Sequence, residues 1–580
     1  MKLTDTFAKI IKSVGIKNVF GLQGGAVVHF FDSLEKHNIN VTYTNHEVSA
    51  ALAATSYSKV TKNLGCAIVT TGPGSTNAIT GLMAAWQDSV PVIFISGQAR
   101  STHVSYGKKV RQVGTQEVNI CDIVKPLTKY TKFISKKENF LPELIKAIKI
   151  SKKDRPGPVW LDVALDIQWS DIEFKKEKKL IFNNLISKKN MDSKFYKILN
   201  YIEKSEKPLV IAGSGIKQGN CENNFLSFIK KNNIPFVTTW NSADITSSDD
   251  INNLGIIGMS GQRGANKALF QADLLICLGT HLPIPHTTTL YKTYAPKSKK
   301  VIINIDNNEL KNLNVKFDLK ICEDVKNFFN WIHKKKFTNN FSWENKKKYK
   351  SMNWYEPAIT KKPNSDRFIR LLTKNTKKKS CIIVDGGGTA LYSGFQSSYL
   401  NKGNRIICSS SISSMGTGLA ESIGVAKSNK FKNLICIIGD GSFLMNIQDL
   451  QTIVQDKINV KIIIVNNNGY LAIRHTQKEF LKAKYFGTHP KYKLTMPNYR
   501  KVSKAFNIKY IKISKHKDIS KVISKLIKIN GPVICELLTS EDQPSLFKQG
   551  YKKNPKGFFE PQPLSEMYPF ISEPIANTNN

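Results

Sequence analysis

Arginine is scarce in this chain, at nine of the 86 basic residues, and acidic residues number only 44. A formal net charge of +42 over 580 residues invites a nucleic-acid partner, because a basic surface attracts phosphate without reading sequence. The fork that grips phosphate through two donors belongs to arginine, however, and the lysines are spread along the whole chain instead of forming one stripe beside stacking aromatics. The skew toward Lys, Asn and Ile reads as a genome-wide compositional bias, and no nucleic-acid partner is expected. C-x-x-C pairs are also missing. The nine cysteines (66, 121, 221, 277, 322, 381, 408, 436 and 535) are scattered, several inside apolar strands, which suits reduced thiols and a cytoplasmic location. No apolar run approaches membrane-spanning length, so no membrane is expected. Met1-Lys2-Leu3-Thr4 leads straight into an amphipathic stretch over 7–14, with no secretory signal evident.

A chain of this length is too long for one core and suits about three domains. Three blocks rich in β-α alternation are readable, which predicts an α/β protein of three doubly wound parallel-sheet domains. The expected boundaries are 1–171, 190–332 and 357–540, with a Pro-rich tail at 541–580 read as an extended segment docked across the surface with a frayed end. Lys-rich polar linkers flank the middle block, around 174–189 and 334–350.

The richest stretch runs over 439–469. Residues 435–438 form a short apolar run of strand type, and Gly439-Asp440-Gly441 then turns tightly at its carboxyl end, where open parallel sheets bind ligands. Residues 442–456 carry apolar side chains at the spacing of one buried helical stripe. The Val/Ile run 460–465 that follows is a parallel strand ending in Asn466-Asn467-Asn468-Gly469. Asp440, Asn467 and the carbonyl of Gly469 thus offer a hard cation one carboxylate and two neutral oxygens. Magnesium prefers such an incomplete shell, finished by phosphate and water.

Asp440, followed 27 positions later by the second Asn of a pair, resembles the diphosphate-binding motif of thiamine diphosphate enzymes. Phe20-Gly21-Leu22-Gln23-Gly24-Gly25-Ala26, Thr70-Thr71-Gly72-Pro73-Gly74-Ser75-Thr76-Asn77, Asp88-Ser89-Val90-Pro91 and Ser96-Gly97-Gln98 stand in the order and spacing of the acetolactate (acetohydroxyacid) synthase family. The resemblance covers roughly residues 1–545, and the chain reads as a divergent member. It implies a pyrimidine-binding first domain, a central domain, and a third domain that binds the diphosphate and Mg2+. Catalytic roles fall on Glu47, which shares a proton with the cofactor's aminopyrimidine ring, and on Gln98 and Gly25. Cofactor contacts fall on Glu47, Pro73, Asn77, Gly387, Gly388, Ser413, Met415, Asp440, Gly441, Ser442, Asn467 and Tyr470. Within that set, Met415 is the apolar support under the cofactor and the Ser413 carbonyl receives its 4'-amino group. Asp385-Gly386-Gly387-Gly388-Thr389 follows an apolar run at 381–384, and its amides would cradle the diphosphate. The implied reaction is decarboxylation of a 2-oxo acid, by default pyruvate, with transfer of the acyl carbanion equivalent. The implied assembly is a homodimer or homotetramer with sites between subunits.

The chain also departs from the family. The segment Gly279-Thr280-His281-Leu282-Pro283-Ile284-Pro285 lacks the Arg that anchors the second substrate's carboxylate, and Thr476 and Thr115 stand where the family has Trp and Phe. These changes predict a rebuilt acceptor site, for something larger or more polar. The alternatives to a second oxo acid are a ketosugar of surface-glycan synthesis and simple protonation. Arg474 or His475 is open to reading as an anion contact or as a surface pair. FAD is left open: Gly258-Met259-Ser260-Gly261 follows the flavin domain, but Ser260 replaces its His, and a central domain kept for assembly is the favoured reading.

Overall fold

The computed structural model describes residues 1–173, 192–336, 341–343 and 345–570. The linker expected at 174–189, the first two residues of the central block and the frayed end expected for the tail lie outside the described residues.

Three six-stranded sheets form, every neighbouring pair parallel. In the first, β1 (Asn18–Gly21), β2 (Asn40–Tyr43), β3 (Gly65–Val69), β4 (Val92–Gln98), β5 (Tyr130–Ile134) and β6 (Val159–Ala164) lie in the order β2-β1-β3-β4-β6-β5. The second holds β7 (Pro208–Ala212), β8 (Phe236–Thr238), β9 (Asn253–Ile256), β10 (Leu274–Leu278), β11 (Lys299–Asn304) and β12 (Leu319–Cys322), in the order β12-β11-β10-β7-β8-β9. The third holds β13 (Ser380–Val384), β14 (Arg405–Ile407), β15 (Asn433–Gly439), β16 (Val460–Asn466), β17 (Lys509–Ile513) and β18 (Val533–Leu538), in the order β14-β13-β15-β16-β18-β17. The first and third sheets therefore share one topology. The second has the order of a dinucleotide-binding fold, with its switch point between β7 and β10. Strands such as β3, β4, β6, β13 and β16 are buried along their whole length, which explains their unbroken Val/Ile/Leu runs: helices cover both faces.

One apolar core runs through both like domains, from Phe20, Ala67 and Phe94 to Cys436, Ile438 and Ile464. At its centre helix Glu47–Thr61 packs on helix Thr417–Lys427. The contact is possible because the first helix presents Ala50, Ala51, Ala53 and Ala54, and the second has a glycine at the crossing. A Cβ on Gly424 would lie 2.0 Å from the Ala53 carbonyl oxygen. Polar groups finish the seam: the Ser56 hydroxyl donates to the Glu421 carbonyl (2.9 Å), and the Lys59 ammonium pairs with Asp88 (2.7 Å) and donates to the Cys408 carbonyl (2.9 Å).

The stretch 442–456, expected as one helix, is two, Asp440–Met445 and Asp449–Gln455. The break falls at Asn446, whose side-chain amide donates to the Gly416 carbonyl (2.8 Å) while its own carbonyl caps Asp449 (3.0 Å). The described part of the tail is docked by two short antiparallel ribbons, β19 (Lys548–Gln549) with β22 (Met567–Tyr568) and β20 (Tyr551–Lys553) with β21 (Phe559–Pro561). Gln549 donates its N–H to the Met259 carbonyl (2.9 Å), and the Gln396 amide donates to the Phe547 carbonyl (2.7 Å). Eight cysteines are buried. No helix among the described residues is long and apolar enough to cross a membrane.

The crossing at Gly424 tolerates no side chain. Gly424→Val is expected to cost about 1–3 kcal/mol through overpacking, read as a lowered denaturant midpoint, whereas Lys432→Gln, exposed in the connection after the same helix, should change the stability by no more than about 0.5 kcal/mol.

Candidate active site

The expected site residues collect at the carboxyl rims of the two like sheets, at matching positions. After β1 comes Gly25 and after β13 come Gly387 and Gly388. After β2 the helix begins at Glu47, and after β14 residues 413–415 lead into the helix at Thr417. After β3 comes the helix Pro73–Asn77 and after β15 the helix that opens with Asp440. After β4 comes nothing but Gln98 itself, the last residue of its strand, and after β16 come Asn467 and Gly469.

The third-domain rim is tightly assembled around Asp440. Its carboxylate is almost fully buried, with Oδ1 accepting from the Gly441 N–H (2.9 Å) and Oδ2 from the Gly469 N–H (2.8 Å). Burial raises its pKa to about 6 against the pull of those amides and of nearby Arg474. Gly469 has φ +129 and Asn468 φ +61, so the loop after β16 turns its backbone back onto Asp440 in a conformation glycine adopts freely. Arg474 braces that loop. Its guanidinium donates to the carbonyls of Asn467 (2.8 Å), Thr488 (2.7 Å) and Glu541 (2.8 Å). It is buried, so it is neither a surface residue nor an open anion contact. Gly441 is bare because Tyr470 lies on it: a Cβ there would come within 2.2 Å of the ring. The Tyr499 hydroxyl donates to the Asp440 carbonyl (3.1 Å).

Beside it, Asp385 ties two turns together. Its carboxylate accepts from the N–H of Gly387 (3.2 Å) and of Gly418 (3.0 Å), and Gly386 donates to the Thr417 hydroxyl (3.2 Å). A Cβ on Gly387 would strike the Met415 side chain at 2.5 Å and approach the Ser442 hydroxyl at 2.9 Å. Gly387, Met415 and Ser442 are thus brought into one small space. Gly388 (φ +55) opens the helix Gly388–Ser397, and Ser413 (φ +50) is likewise left-handed.

The first-domain rim centres on Glu47. It is buried at the start of its helix, accepts from the Asn77 side-chain amide (3.1 Å), and has Gly74 beneath it, where a Cβ would sit 3.4 Å from its carboxylate. Gln98 is fully buried. Its amide donates to the Val118 carbonyl (2.8 Å) and to Asp162 (2.9 Å), and its oxygen accepts from the Thr71 hydroxyl (2.9 Å) and the Ala99 N–H (2.8 Å). Gly25 is exposed, with open space where a side chain would point. Among the described residues no hydrogen bond joins this rim's set to the Asp440 set.

The Asp440 rim fits the metal and diphosphate that the sequence implies. It combines a single oriented carboxylate, the neighbouring Asn467 and a glycine-rich helix start, and no cluster of three or more acidic, His or Cys ligands exists among the described residues. That donor set suits a hard cation which keeps water and phosphate ligands. Flavin fits less well. A cavity of about 970 Å3 lies where the three domains meet, lined by Trp86 and Arg155 of the first, Trp240 and His286 of the central and Gly386 and Ser413 of the third. The Trp240 indole N–H and both His286 ring nitrogens are buried there without partners, so a ring would find contacts. The cavity's one guanidinium, Arg155, is already committed to Asp306 (3.1 Å), Glu309 and the Ser89 hydroxyl (2.8 Å), leaving it unavailable to a dinucleotide's phosphates.

Sequence reasoning did not find Asp385's clamp, Arg474's brace or Tyr499 as working parts. Asp385 alone carried a signal, as the acid ahead of the glycine triplet.

Comparison with known proteins agrees with this layout. Residues 1–123 match the model of the thiamine pyrophosphate enzyme N-terminal TPP binding domain, 196–332 that of the central domain, and 386–537 that of the C-terminal TPP binding domain. The chain is 30% identical over 531 residues to the acetolactate synthase large subunit of Buchnera aphidicola subsp. Acyrthosiphon pisum, covering 87% of this chain and 89% of that one. It is 29% identical over 559 residues to the protein of the same name from Buchnera aphidicola subsp. Schizaphis graminum, with 91% and 93% covered. The figures for that of Lactococcus lactis subsp. lactis are 28% over 557 residues, with 92% of each chain covered. Fold, rims and these matches define a thiamine diphosphate-dependent enzyme. The chain belongs to the acetolactate synthase large-subunit family.

Two pH effects follow from the buried carboxyls. Only the ionised Asp440 can ligate a metal, so Mg2+-dependent uptake of thiamine diphosphate should weaken about tenfold per pH unit below about 6, as measured by cofactor retention on titration. Without cofactor the sign reverses for stability. Burial raises Asp162, Asp449 and Glu421 to about 7 and Asp385 and Asp440 to about 6, so the folded state binds protons more tightly than the unfolded chain. Their contribution is fully present below pH 4 and is lost as the pH rises through 6 to 7. Melting temperatures of the cofactor-free protein should therefore fall from pH 5 to pH 8, and Mg2+ with thiamine diphosphate should restore part of the loss.

Proposed function

We propose that the protein decarboxylates a 2-oxo acid, with pyruvate as donor, and transfers the acyl carbanion equivalent to an acceptor. Thiamine diphosphate would be held through Mg2+ by Asp440, Asn467 and the Gly469 carbonyl. The observation that carries this reading is the lone buried carboxylate of Asp440, aimed by two backbone amides at the mouth of a glycine turn. When bound, thiamine diphosphate supplies the electron sink that loss of carbon dioxide from a 2-oxo acid requires.

The protein's own groups bind, orient and move protons. The amides at Gly387 and Gly388 receive the diphosphate at a helix start. Ser442, Gly441 and Tyr470 wall the metal side. Met415, pressed against Gly387, supports the cofactor's middle, and the Ser413 carbonyl takes an amino group. Glu47 holds a proton at the pyrimidine ring, backed by Asn77, with Pro73 fixing the start of the helix that carries Asn77. Gly25 leaves room at the rim and Gln98 stiffens it. Because no hydrogen bond among the described residues joins the Glu47 and Asp440 sets, and because the family resemblance implies sites between subunits, we place the working site between two copies, Glu47 of one protomer facing the Asp440 rim of its partner. Full-length similarity to acetolactate synthase large subunits supports the carboligase reading, and buried cysteines support a cytoplasmic setting.

Incubation with pyruvate, with and without a second oxo acid, tests the proposal by following carbon dioxide and ligated product. Carbon dioxide and a ligated product are expected, and no carbon dioxide under saturating cofactor would refute it. Glu47→Gln should lower turnover roughly 10^2–10^4-fold while leaving uptake of thiamine diphosphate nearly intact, whereas Asp440→Asn should abolish the Mg2+-dependent uptake itself.

A further inference from the structure

Three cavities lie in series from the diphosphate turn to the surface. The innermost, already described, has Gly386, Gly388 and Ser413 in its wall together with Met259, Ser260 and Tyr392. The last three also wall a middle chamber of about 330 Å3 between helix Gly388–Ser397, helix Leu471–Phe480 and the docked tail. His475, Glu479, Ser545, Lys548 and Tyr551 are shared between that chamber and an outer one of about 930 Å3. The passage between middle and outer chambers is flanked by one ion pair, Lys548 with Glu479 at 2.7 Å.

The two chambers differ in chemistry. The middle one mixes hydroxyls, at Thr389, Tyr392 and Thr476, with the apolar side chains of Ile473, Phe480, Leu546 and Phe547, and its basic groups are only Lys548 and His475. The outer one is walled by Tyr485, Tyr551, Phe559, Tyr568 and Phe570. Four of these rings are 37–45% exposed, three on the two ribbons of the tail and Phe570 just beyond them, an unusual concentration of uncovered apolar surface. Lysines stand among the rings. Lys362 and Lys478 line the outer chamber beyond ion-pair distance of any described acid, within electrostatic reach of Asp542, while Glu479 pairs with Lys548 and Glu541 lies 3.0 Å from His489; with Lys548 and Arg474 the chamber's four Lys and Arg side chains exceed its three acids by one. The result is a ring-lined basin with spare positive charge, within the roughly 300–1,000 Å3 of sites that hold drug-sized ligands and far larger than a second small oxo acid needs.

We propose that this outer basin binds the non-reacting part of the acceptor, and that the acceptor is a nucleotide-activated ketosugar, whose ring ketone accepts the new carbon–carbon bond and, taking up a proton, becomes a tertiary alcohol. Its base would stack on the tail's rings, as bases do on exposed aromatics, and its diphosphate would meet Lys478, Lys362 and Lys548. Its sugar would extend past the Lys548–Glu479 pair into the middle chamber beside the cofactor. The inference rests on the carboligase reading above and names the acceptor class for it. The tail is then part of the acceptor site, a wall that its hydrogen bonds to Met259 and Gln396 hold in register with the catalytic domains.

The test is binding of UDP-glucose and GDP-mannose to the magnesium- and thiamine diphosphate-loaded full-length protein, measured by calorimetry. Submillimolar dissociation constants are expected for at least one probe. They should weaken at least tenfold in the double variant Lys478→Gln/Lys548→Gln and in Tyr551→Ala, with thermal unfolding of both variants unchanged. A second variant pair, Lys362→Gln and Phe559→Ala, guards against misfolding of the first. No binding of either probe at millimolar concentration, or binding that none of these changes weakens, would overturn the proposal. Carbon dioxide release from pyruvate by the unmutated protein separates the two levels: if it is present while nucleotide sugars fail to bind, only the acceptor assignment falls, and if it is absent, the carboligase reading falls first.

Discussion

The structure is organised around one carboxylate kept out of water. Asp440 sits where a bare acid is costly, and burial alone would leave it neutral near physiological pH; the amides of Gly441 and Gly469 recover part of that cost but not all of it. A hard cation is the group that the remaining charge suits. The surrounding features are intelligible as consequences. Gly441 must lack a side chain for Tyr470 to close over it, Gly469 must turn through a left-handed backbone, and Arg474 must hold three carbonyls so that the loop presents its oxygens in a fixed array.

A second constraint is that the molecule uses one topology twice. The first and third sheets have the same strand order, and both place their working groups after the first four strands of that order. What differs is chemistry. One rim carries Glu47 with the Asn77 amide beside it, and the other carries Asp440 with two backbone amides and the glycine turn at 386–388. The helices that follow the second strand of each sheet cross at Gly424, in a seam too close for any side chain, so the two like domains of one chain are fixed against each other.

How much of this could be read from sequence depended on the range of the contact. The spacing from Asp440 to Asn467 was legible because two parallel strands and one crossover set it, and the glycines at 387, 388, 441 and 469 were legible because rim turns demand them. The three sheets followed from runs of Val, Ile and Leu. Contacts made by residues far apart in the chain were not legible. Tyr499 reaches Asp440 from 59 positions away, and Arg474 gave no hint that its donors would be spent on backbone carbonyls. The helix break at Asn446 was hidden for the same reason, since the acceptor of its side chain lies 30 residues upstream. For Gln98 the strand end was readable, but its locking by buried Asp162 was not.

The scarcity of arginine takes on meaning once the side chains are placed. A surface dominated by lysine needs only charge and solubility, and lysine serves for that. Three of the nine arginines, Arg155, Arg263 and Arg474, meet two or more acceptors at once, as a planar fork does. Arg155 joins the first domain to the central one through Asp306 and Glu309, and Arg405 joins the third to the central one through Asp244. Arg263 holds the tail through the carbonyls of Met567 and Pro569, Arg367 pairs with Glu356, and Arg370 lies over the Trp354 ring. Arg474 braces the metal loop. A drift toward lysine would erode exchangeable sites first and leave the guanidinium where several fixed acceptors must be met at once, so the rarity of arginine marks the joints on which the geometry of the site depends.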